Sequence, residues 1–403
     1  MRSILFIAGD VSGDIHTALL AREVVARHPD WTIATLGGAQ LNGVARESGG
    51  TVLGDTAGCG VIGFGPSLLV VPRALKLRRV ALRYARAERP TAAVLCDWGA
   101  FNGRLLPFLK AHGVKTLYYF PPRSWVREGE GGLGIAPFVD RVATPFEWSA
   151  RRLQNAGCRA EWVGHPLLET VRPSKSRQEL RAEFGAAGDD AESDTLIALL
   201  PGSRALELRY IAPHLVESAR LLQGRAHVQA HARTHAPAAQ RRFRFAVAVP
   251  PGGAARARKY FDDSFALIEG RASDLFFACD AAIVKSGTVT LEAAVAGAPQ
   301  VVVYDVPLAL KLQWRLTGLG RKVPFVAMPN IILGRMAVRE LLGFACRPEN
   351  IVAEVEKLLG DDAVRARMSE DYQEVRRALG AQLPLTATAR TAEILEEMLK
   401  EEA

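Results

Sequence analysis

The sequence has few cysteines and no long apolar run, and both absences narrow the class of protein. Its five cysteines are scattered along 403 residues without a Cys-x-x-Cys pair. We therefore expect neither a disulfide framework nor a structural zinc site, and a reducing compartment fits this cysteine usage. No uncharged apolar stretch reaches the roughly 20 residues of a membrane-spanning helix. The N-terminal apolar run is too short for a signal peptide, which favours a cytoplasmic location.

The composition is that of an ordinary globular protein with a modest basic bias. Hydrophobic residues make up 49% and charged residues 23% of the chain. The length predicts two or three domains, at roughly 150 residues each. Lys and Arg number 51 against 43 Asp and Glu, a formal net charge of +8. This charge suits phosphorylated substrates, anionic lipid or nucleic acid and does not choose among them.

Short apolar runs alternate with segments of helical period along the chain. This alternation is typical of a parallel sheet covered on both faces, so we expect two doubly wound, Rossmann-like α/β domains. The expected parts are a first domain at 1–172, a linker at 173–195, a second domain at 196–365, and a helical segment at 366–403 that packs back on the body. Strands are expected at 3–9, 32–38, 92–98, 115–120, 141–146 and 160–165, and then at 195–202, 226–232, 243–250, 265–270, 281–287 and 299–305. Ligands of such folds bind in a cleft beyond the carboxyl ends of the strands.

In the first domain, the stretch "FIAGDVSGDIHTALL" (6–20) ends a strand and begins a helix. Its small residues let a substrate approach the backbone, and the amides at a helix start attract anions or polar sugars. The candidate residues are Asp10, Ser12, Gly13 and Asp14. Simple capping of the helix explains the same pattern, so both interpretations stay open.

A second strand end, "AAVLCDWGAFN" (92–102), places Asp97 directly after an apolar run. An ionised carboxylate beside a ligand accepts a hydroxyl proton as a general base, whereas a loop or helix cap is the structural alternative. Asn102 has the same alternative. His165, in "VGHPLLE" (163–169), is a further candidate, although a histidine in such a place is more often a structural hydrogen bonder.

In the second domain, "ALLPGSRALEL" (198–208) carries Gly202, Ser203 and Arg204 between a strand and a helix. A glycine, helix-start amides and a guanidinium together favour binding of a diphosphate. An arginine at a helix N-terminus opposes the helix dipole, which favours an anionic partner over capping alone.

The stretch "AIVKSGTVTLEAAVAGAP" (282–299) is a second junction of this kind. The candidates for phosphate contacts are Lys285, Ser286, Gly287 and Thr288, and Glu292 is the candidate for the two hydroxyls of a ribose. In the structural alternative, Ser286 or Thr288 caps the helix and Glu292 favours its first turn.

The segment 60–90 combines an apolar run, including Leu68 and Leu69, with a basic stripe. Cations recur every three or four residues at Arg73, Lys76, Arg79, Arg83 and Arg86. An interfacial element facing anionic lipid has this pattern, and a solvated basic helix face is the alternative.

Taken in order, eight motifs resemble those of lipid-A-disaccharide synthase, a family of inverting glycosyltransferases with the GT-B fold. They are "AGDVSGD", "CGVIGF", "CDWGAFN", "PFE", "VGHPL", "LLPGSR..E", "SGTVTLE" and "MPN", within roughly residues 4–345. The resemblance implies two Rossmann-like domains that face a cleft. It also implies transfer of 2,3-diacylglucosamine from its UDP donor to 2,3-diacylglucosamine 1-phosphate, at the inner face of the cytoplasmic membrane.

The resemblance also assigns roles to residues. Asp97 matches the general base, Asn330 in "MPN" lies near the donor, and Trp125 falls in a motif of the acceptor side. The nucleotide positions are Arg204, Ser286, Gly287, Thr288 and Glu292, and the segment around 60–80 matches the membrane-facing, acyl-binding region. The partners implied are a UDP-activated acylated sugar, a phosphorylated lipid acceptor, an anionic membrane surface and a second copy of the chain. No metal, other cofactor or nucleic acid is expected.

The sequence departs from the family pattern at several positions. Asp10-Val11 replaces Glu-Thr, Trp98-Gly99-Ala100 replaces a segment with a proline and a second acid, and Lys285 stands where a small residue is usual. The segment 121–129 loses its second Trp, and "RELLG" (339–343) replaces Pro-Glu-Leu-Leu-Gln. Two alternatives therefore stay open: a UDP-sugar transferase or epimerase with another acceptor, and an inactive paralogue that binds UDP-sugar or lipid.

Overall fold

The computed structural model describes residues 2–59, 64–122, 124, 133–186, 194–232, 242–317 and 324–401. For residues 64–70, 133 and 226–232 it describes the backbone. The chain forms two compact units. The first consists of Met1–Leu168 and Arg377–Ala403, and the second is Glu169–Arg376.

The first unit is built on a seven-stranded sheet in which every neighbouring pair of strands is parallel. The strands are β1 (Ser3–Ala8), β2 (Thr32–Gly37), β3 (Thr51–Asp55), β4 (Ala92–Cys96), β5 (Lys115–Tyr119), β6 (Arg141–Thr144) and β7 (Ala160–Trp162). Their order is β3-β2-β1-β4-β5-β6-β7. The register pairs Ala8 with Cys96, so the carboxyl ends of β1 and β4 lie side by side.

Helices cover both faces of this sheet. Alternate side chains of β1 enter two different cores, with Ile4 and Phe6 on one face and Leu5 and Ile7 on the other. The helices are Val11–Arg27, Ala39–Glu47, Phe64–Glu88, Gly99–Ala111, Glu147–Asn155 and Ala387–Lys400, with a 3-10 helix at Leu133–Phe138 and a short helix, Leu167–Thr170, at the boundary between the units. The last helix, Ala387–Lys400, buries its apolar face against the same core as Ile4 and Phe6.

The second unit is built on a six-stranded parallel sheet. Its strands are β8 (Thr195–Leu200), β9 (Phe243–Val249), β10 (Ala266–Glu269), β11 (Ala281–Lys285), β12 (Gln300–Tyr304) and β13 (Arg339–Leu342). Their order is β10-β9-β8-β11-β12-β13. Val284 pairs with Leu200, so the carboxyl ends of β8 and β11 are neighbours.

The second unit also has helices between its strands. They are Arg177–Glu183, Ala205–Ala232, Ala254–Ala257, Ala272–Ala278, Val289–Ala296, Leu308–Thr317, Met328–Leu333, Pro348–Gly360 and Asp362–Ala378, with a 3-10 helix at Gly343–Ala345. The side chains of β8 are almost entirely buried, as expected for a central strand. No helix within the described ranges has the length and apolarity needed to cross a membrane.

The observed boundaries differ from the expected ones in the middle of the chain. The expected linker at 173–195 contains the helix Arg177–Glu183, which belongs to the second unit. Arg181 is 1% exposed there, and its guanidinium donates to the carbonyl of Ala278 and the carboxylate of Asp280. The polar composition of this segment gave no sign of a helix packed into the unit, because its packing depends on charged residues that find partners there.

One expected strand is wrong and two strands were missed. Residues 226–232 continue the helix Ala205–Ala232, in keeping with their alanine-rich composition, since alanine has the highest helix propensity. The missed strands, β3 and β13, are short and carry exposed residues. Such strands lack the continuous apolar run that marks a central one, because they lie at the edges of their sheets.

Candidate active site

Asp97 follows the buried strand β4 in a strained backbone conformation. Asp97 and Trp98 have φ of +44° and +43°, in the left-handed region that residues other than glycine rarely adopt. Such strain costs about 1–3 kcal/mol per residue and clusters at functional sites. The amide of Asp97 donates to the carbonyl of Phe120 at 3.0 Å. This conformation turns the chain directly after β4.

The side chain of Asp97 is half-buried and close to a second carboxylate. Burial and the negative charge of Asp10 raise the pKa of Asp97 to about 6, against a smaller opposing effect of the Trp98 amide. A base is most effective when its pKa lies near the working pH. Asp97 can therefore be ionised at neutral pH and still hold a proton strongly enough to act as a base.

Asn102 and Tyr118 hold the backbone of Asp97. Asn102 is fully buried, and its Nδ2 donates to the carbonyls of Asp97 at 2.8 Å and Cys96 at 3.3 Å. The hydroxyl of Tyr118 donates to the carbonyl of Asp97 at 2.6 Å. Asn102 is thus a positioning residue and does not line an open acceptor site, which corrects the expectation for it.

The "SGD" segment serves mainly to cap helices. Asp10 accepts hydrogen bonds from the Gly13 amide at 2.7 Å and the Ser12 hydroxyl at 3.0 Å, and so caps the helix Val11–Arg27. A Cβ at Gly13 would lie 2.6 Å from Asp10 Oδ1, so the cap requires a glycine there. Capping, one of the two interpretations, accounts for Ser12 and Gly13.

Asp14 is buried and anchors the next helix. Its carboxylate accepts from the amides of Gly38 at 2.7 Å, Gln40 at 3.0 Å and Leu41 at 3.1 Å, at the start of the helix Ala39–Glu47. All three bonds hold the backbone, so the expectation that Asp14 contacts an acceptor is corrected to a structural role.

His165 is also structural. It is buried, its amide donates to the carbonyl of Leu379 at 2.8 Å, and its Nδ1 accepts from the Leu167 amide at 3.1 Å. Burial, with a smaller effect of His16, lowers the pKa of His165 well below its usual value. Burial and these contacts favour the structural interpretation of His165 over a role in the cleft.

Trp98, which departs from the family pattern, fills the space above β1. Its ring stacks on Phe101 at 3.8 Å with an interplanar angle of 2°. A Cβ at Gly9 would lie 2.2 Å from this ring, so Gly9 and Trp98 are matched in size. The substitution is thus packed into the structure next to Asp97.

In the second unit, the amides after β8 are hydrogen-bonded to a glutamate of the helix that follows them. Glu207 Oε2 accepts from the amides of Ser203 at 3.0 Å and Arg204 at 3.2 Å. Gly202 has φ of +103°, and a Cβ there would overlap the Glu207 side chain. The amides expected to bind a diphosphate are therefore occupied, which corrects that part of the prediction. The Arg204 guanidinium remains exposed, 3.6 Å from Glu207 Oε1.

Lys285, at the end of β11, connects the two junctions. Its Nζ lies 2.8 Å from Glu207 Oε1 and 5.7 Å from the centre of the Tyr304 ring. Burial acts to raise the pKa of Glu207, but pairing with Lys285 and the hydrogen bond from the Arg204 amide hold it below its usual value. Glu207 is therefore ionised at neutral pH.

The junction after β11 is open. Gly287 has φ of +145°, and the Ser286 hydroxyl donates to the carbonyl of Val326 at 2.9 Å. Among the residues that the structure describes, none accepts a hydrogen bond from the amides of Gly287, Thr288 or Val289. The exposed Thr288 side chain makes no capping hydrogen bond. Free amides at a helix start attract anions, so the start of the helix Val289–Ala296 is a candidate anion site.

Glu292 lies one turn further along the same helix. Burial raises the pKa of its carboxyl, and no residue within the described ranges donates a hydrogen bond to it. A desolvated carboxylate without a donor is costly, so this position favours a ligand that supplies hydroxyl groups. Free amides and an unpartnered carboxylate on the same short helix match a phosphate next to a sugar.

Asn330 does not face this site with a free polar group. It is fully buried, its Nδ2 donates to Val338 O and Glu340 Oε1, and its Oδ1 accepts from the amides of Ala337 and Val338. All four hydrogen-bonding positions of the amide are used. The expectation that it binds the donor is corrected: Asn330 holds the turn between Met328–Leu333 and β13.

The basic stripe lies on the exposed face of the helix Phe64–Glu88. Its five cations are exposed, namely Arg73, Lys76, Arg79, Arg83 and Arg86, while Leu77, Ala81 and Ala85 are buried on the opposite face. Arg73 donates to the carbonyl of Asp55 at 3.0 Å. The side chains of Leu68 and Leu69 lie outside the described residues, as does Trp125.

Sequence reasoning missed the supporting residues of both sites. Glu207 was visible as an acid at the start of a helix, which is the signature of a glutamate reaching back to the helix cap. Glu340 carries no such signal, yet its carboxylate accepts from the amides of Val326 and Ala327 and from Asn330. Tyr118 sits in an apolar strand, where nothing marked its hydroxyl as a partner of Asp97.

The fold is shared with solved structures of low sequence identity. UDP-N-acetylglucosamine 2-epimerase from Neisseria meningitidis, bound to UDP-GlcNAc, has a TM-score of 0.57 at 13% identity and covers 99% of this chain and 100% of that one. MurG from Acinetobacter baumannii has a TM-score of 0.54 at 15% identity, over 98% and 99% of the two chains. The expected GT-B fold is confirmed.

Sequence comparison gives a closer relationship. Lipid-A-disaccharide synthase from Anaeromyxobacter dehalogenans (strain 2CP-C) is 36% identical over 381 residues, 94% of this chain and 93% of the relative. That from Myxococcus xanthus (strain DK1622) is 34% identical over 403 residues, 98% and 97% of the two chains. The family profile described as lipid-A-disaccharide synthetase matches residues 4–395. The chain therefore belongs to the lipid-A-disaccharide synthetase family and is a glycosyltransferase of lipid A biosynthesis.

Proposed function

We propose that this protein transfers 2,3-diacylglucosamine from UDP-2,3-diacylglucosamine to 2,3-diacylglucosamine 1-phosphate. The products are UDP and the β-1,6-linked lipid A disaccharide 1-phosphate. Family membership supports this reaction. The structural observation that carries it is the helix Val289–Ala296, which offers free amides at its start and the unpartnered carboxylate of Glu292 one turn later.

The donor binds the second unit through its UDP group. The amides of Gly287, Thr288 and Val289 take the diphosphate, and Glu292 accepts hydrogen bonds from the ribose hydroxyls. Lys285 and Arg204 add positive charge, because the Lys285 ammonium lies 3.5 Å from where a Cβ of Gly287 would be and the Arg204 side chain is exposed. The UDP sugar bound by the Neisseria epimerase, which has the same fold, supports this type of ligand.

The acceptor binds the first unit, where Asp97 acts as the general base. The ionised carboxylate takes the proton from the acceptor hydroxyl while that oxygen attacks the anomeric carbon of the donor. The bond from that carbon to the diphosphate breaks, and its electron pair leaves with UDP. Attack opposite the leaving group inverts the configuration. The pKa of about 6 supports this role for Asp97.

The cations of the second unit compensate the charge that develops on the leaving diphosphate. Arg204 and Lys285 are both close to Glu207, which holds them at the junction after β8. We propose that no metal or other cofactor takes part. The same charges would otherwise be supplied by a divalent ion.

We also propose that the protein is peripheral at the cytoplasmic face of the inner membrane. The exposed basic face of Phe64–Glu88 supports contact with anionic lipid. The proposal includes a homodimer and no nucleic-acid partner.

Product analysis with the purified protein tests the reaction. With both lipid precursors, the expected product is the disaccharide 1-phosphate, together with one UDP for each disaccharide. A free sugar or an epimer of the donor would instead indicate a UDP-sugar enzyme with another acceptor. Absence of turnover, with UDP still bound, would indicate an inactive paralogue.

A further inference from the structure

The helix Leu308–Thr317 of the second unit turns its apolar side outward. Leu308, Leu312 and Leu316 recur every four residues and are 62%, 46% and 86% exposed. None of the ten residues of this helix is buried. A surface helix normally buries its apolar stripe, whereas this helix leaves its leucines exposed.

Polar and aromatic contacts fix the helix to the unit on its other side. Lys311 Nζ lies 2.7 Å from the buried carboxylate of Asp305, which follows β12. The ring of Trp314 stacks on Tyr304 at 6.1 Å with an interplanar angle of 11°. The leucine stripe is therefore held outward on a fixed support.

We propose that the helix Leu308–Thr317 is a membrane contact that lies flat in the surface of an anionic phospholipid bilayer. At 1.5 Å per residue its length is about 15 Å, enough to lie in an interface and too short to span it. The helix carries no acidic residue, and the exposed Arg315 lies beside the leucine stripe. An apolar stripe flanked by a cation, with no acid to repel phosphate head groups, complements an anionic lipid surface.

The charge also argues against a second copy of this chain as the occupant. In a stripe-to-stripe contact between two copies, the helix offers no acidic residue that could pair with Arg315 of the other copy. Exposed apolar stripes of this kind mark an interaction surface, and the lipid surface satisfies both the leucines and the arginine.

The contact brings the second unit to the lipid surface. That it serves binding of the acylated UDP-sugar rests on the proposed function. Tyr304, on which Trp314 stacks, also lies under Lys285 beside the proposed diphosphate site. The helix thus adjoins the residues that would hold an acylated UDP-sugar. Membrane binding itself does not depend on the proposed reaction.

Co-sedimentation with vesicles of phosphatidylglycerol and phosphatidylethanolamine tests the contact. The triple variant Leu308→Ser, Leu312→Ser and Leu316→Ser is expected to partition at least about tenfold more weakly than the unmodified protein. A matched control replaces three exposed apolar residues elsewhere, Met336→Ser, Leu385→Ser and Val52→Ser, and is expected to bind as the unmodified protein does.

Unchanged partitioning of the triple variant would overturn the proposal. So would light scattering without lipid in which the unmodified protein is an oligomer and the triple variant a monomer, because the stripe would then be covered by a second copy. If the triple variant does not fold, Leu316→Asp replaces it, since that side chain is 86% exposed. An assay of glycosyl transfer in detergent separates the two proposals. The triple variant is expected to keep its transfer activity there. If the unmodified protein shows no transfer in detergent, only the proposed reaction is contradicted.

Discussion

The ammonium of Lys285 lies 2.8 Å from the carboxylate of Glu207, and this ion pair joins the ends of β11 and β8. Glu207 also accepts from the Ser203 and Arg204 amides, so one carboxylate organises the whole of the first junction. The pair explains how a lysine is accommodated where the family usually has a small residue. It leaves Lys285 beside Gly287, next to the open amides.

Replacing Lys285 tests whether it contacts the diphosphate. Lys285→Ala is expected to weaken UDP binding by about tenfold and uridine binding very little, because only the diphosphate meets the ammonium. Isothermal titration of both ligands measures this. Lys175→Ala is the control, since Lys175 also pairs with a glutamate of the same unit, Glu183, but lies in the bend before the helix Arg177–Glu183. Equal losses for UDP and uridine would mean that Lys285 acts only on the structure.

Glu292 is expected to recognise the ribose. The unmodified protein should bind UDP about tenfold or more tightly than 2′-deoxy-UDP, because the deoxy ligand leaves a desolvated carboxylate short of a donor. In Glu292→Gln this difference should largely disappear. Competition binding with the two nucleotides gives the ratio directly. A preference for UDP that survives unchanged in Glu292→Gln would remove the residue from the ribose site.

The pH dependence of kcat/KM should follow the ionisation of Asp97. Its pKa is raised to about 6, so the base is protonated and activity falls as pH drops below that value. Asp10→Asn removes one of the two causes of the raised pKa, so the acid limb should move to lower pH but stay above that of a free carboxyl, because burial remains. Ser12→Ala, which removes a hydrogen bond to Asp10 without removing its charge, should leave the limb in place. An acid limb that Asp10→Asn does not move would contradict the link between the two carboxylates.

Chelation tests the proposal that no metal takes part. Transfer by the purified protein is expected to continue in EDTA, because Lys285, Arg204 and the helix-start amides provide the positive charge. Activity lost in EDTA and restored by Mg²⁺ or Mn²⁺ would show that a divalent ion is needed.

The sequence predicts the fold, and the strand ends at which the candidate residues lie, better than the contacts that those residues make. Central strands such as β8 and β11 are continuous apolar runs, so both sheets could be predicted, whereas the short edge strands β3 and β13 could not. The polar residues after β4 and β11 lie where parallel strands end, as expected. Which polar residues are free depends on partners outside the local motif: Asp14 binds the amides at the start of the helix Ala39–Glu47, and Asn330 binds Glu340 of β13. Hydrogen bonds to residues outside a motif leave no mark on its local pattern.

The central claim is that Asp97 is the base of a glycosyl transfer. Its most direct test is turnover of Asp97→Asn with both lipid precursors, measured beside its affinity for UDP. The variant should fold, since it removes a half-buried charge next to Asp10, and bind UDP as the unmodified protein does. Its kcat should fall by at least about 100-fold. Disaccharide formation by Asp97→Asn at close to the unmodified rate would contradict the account.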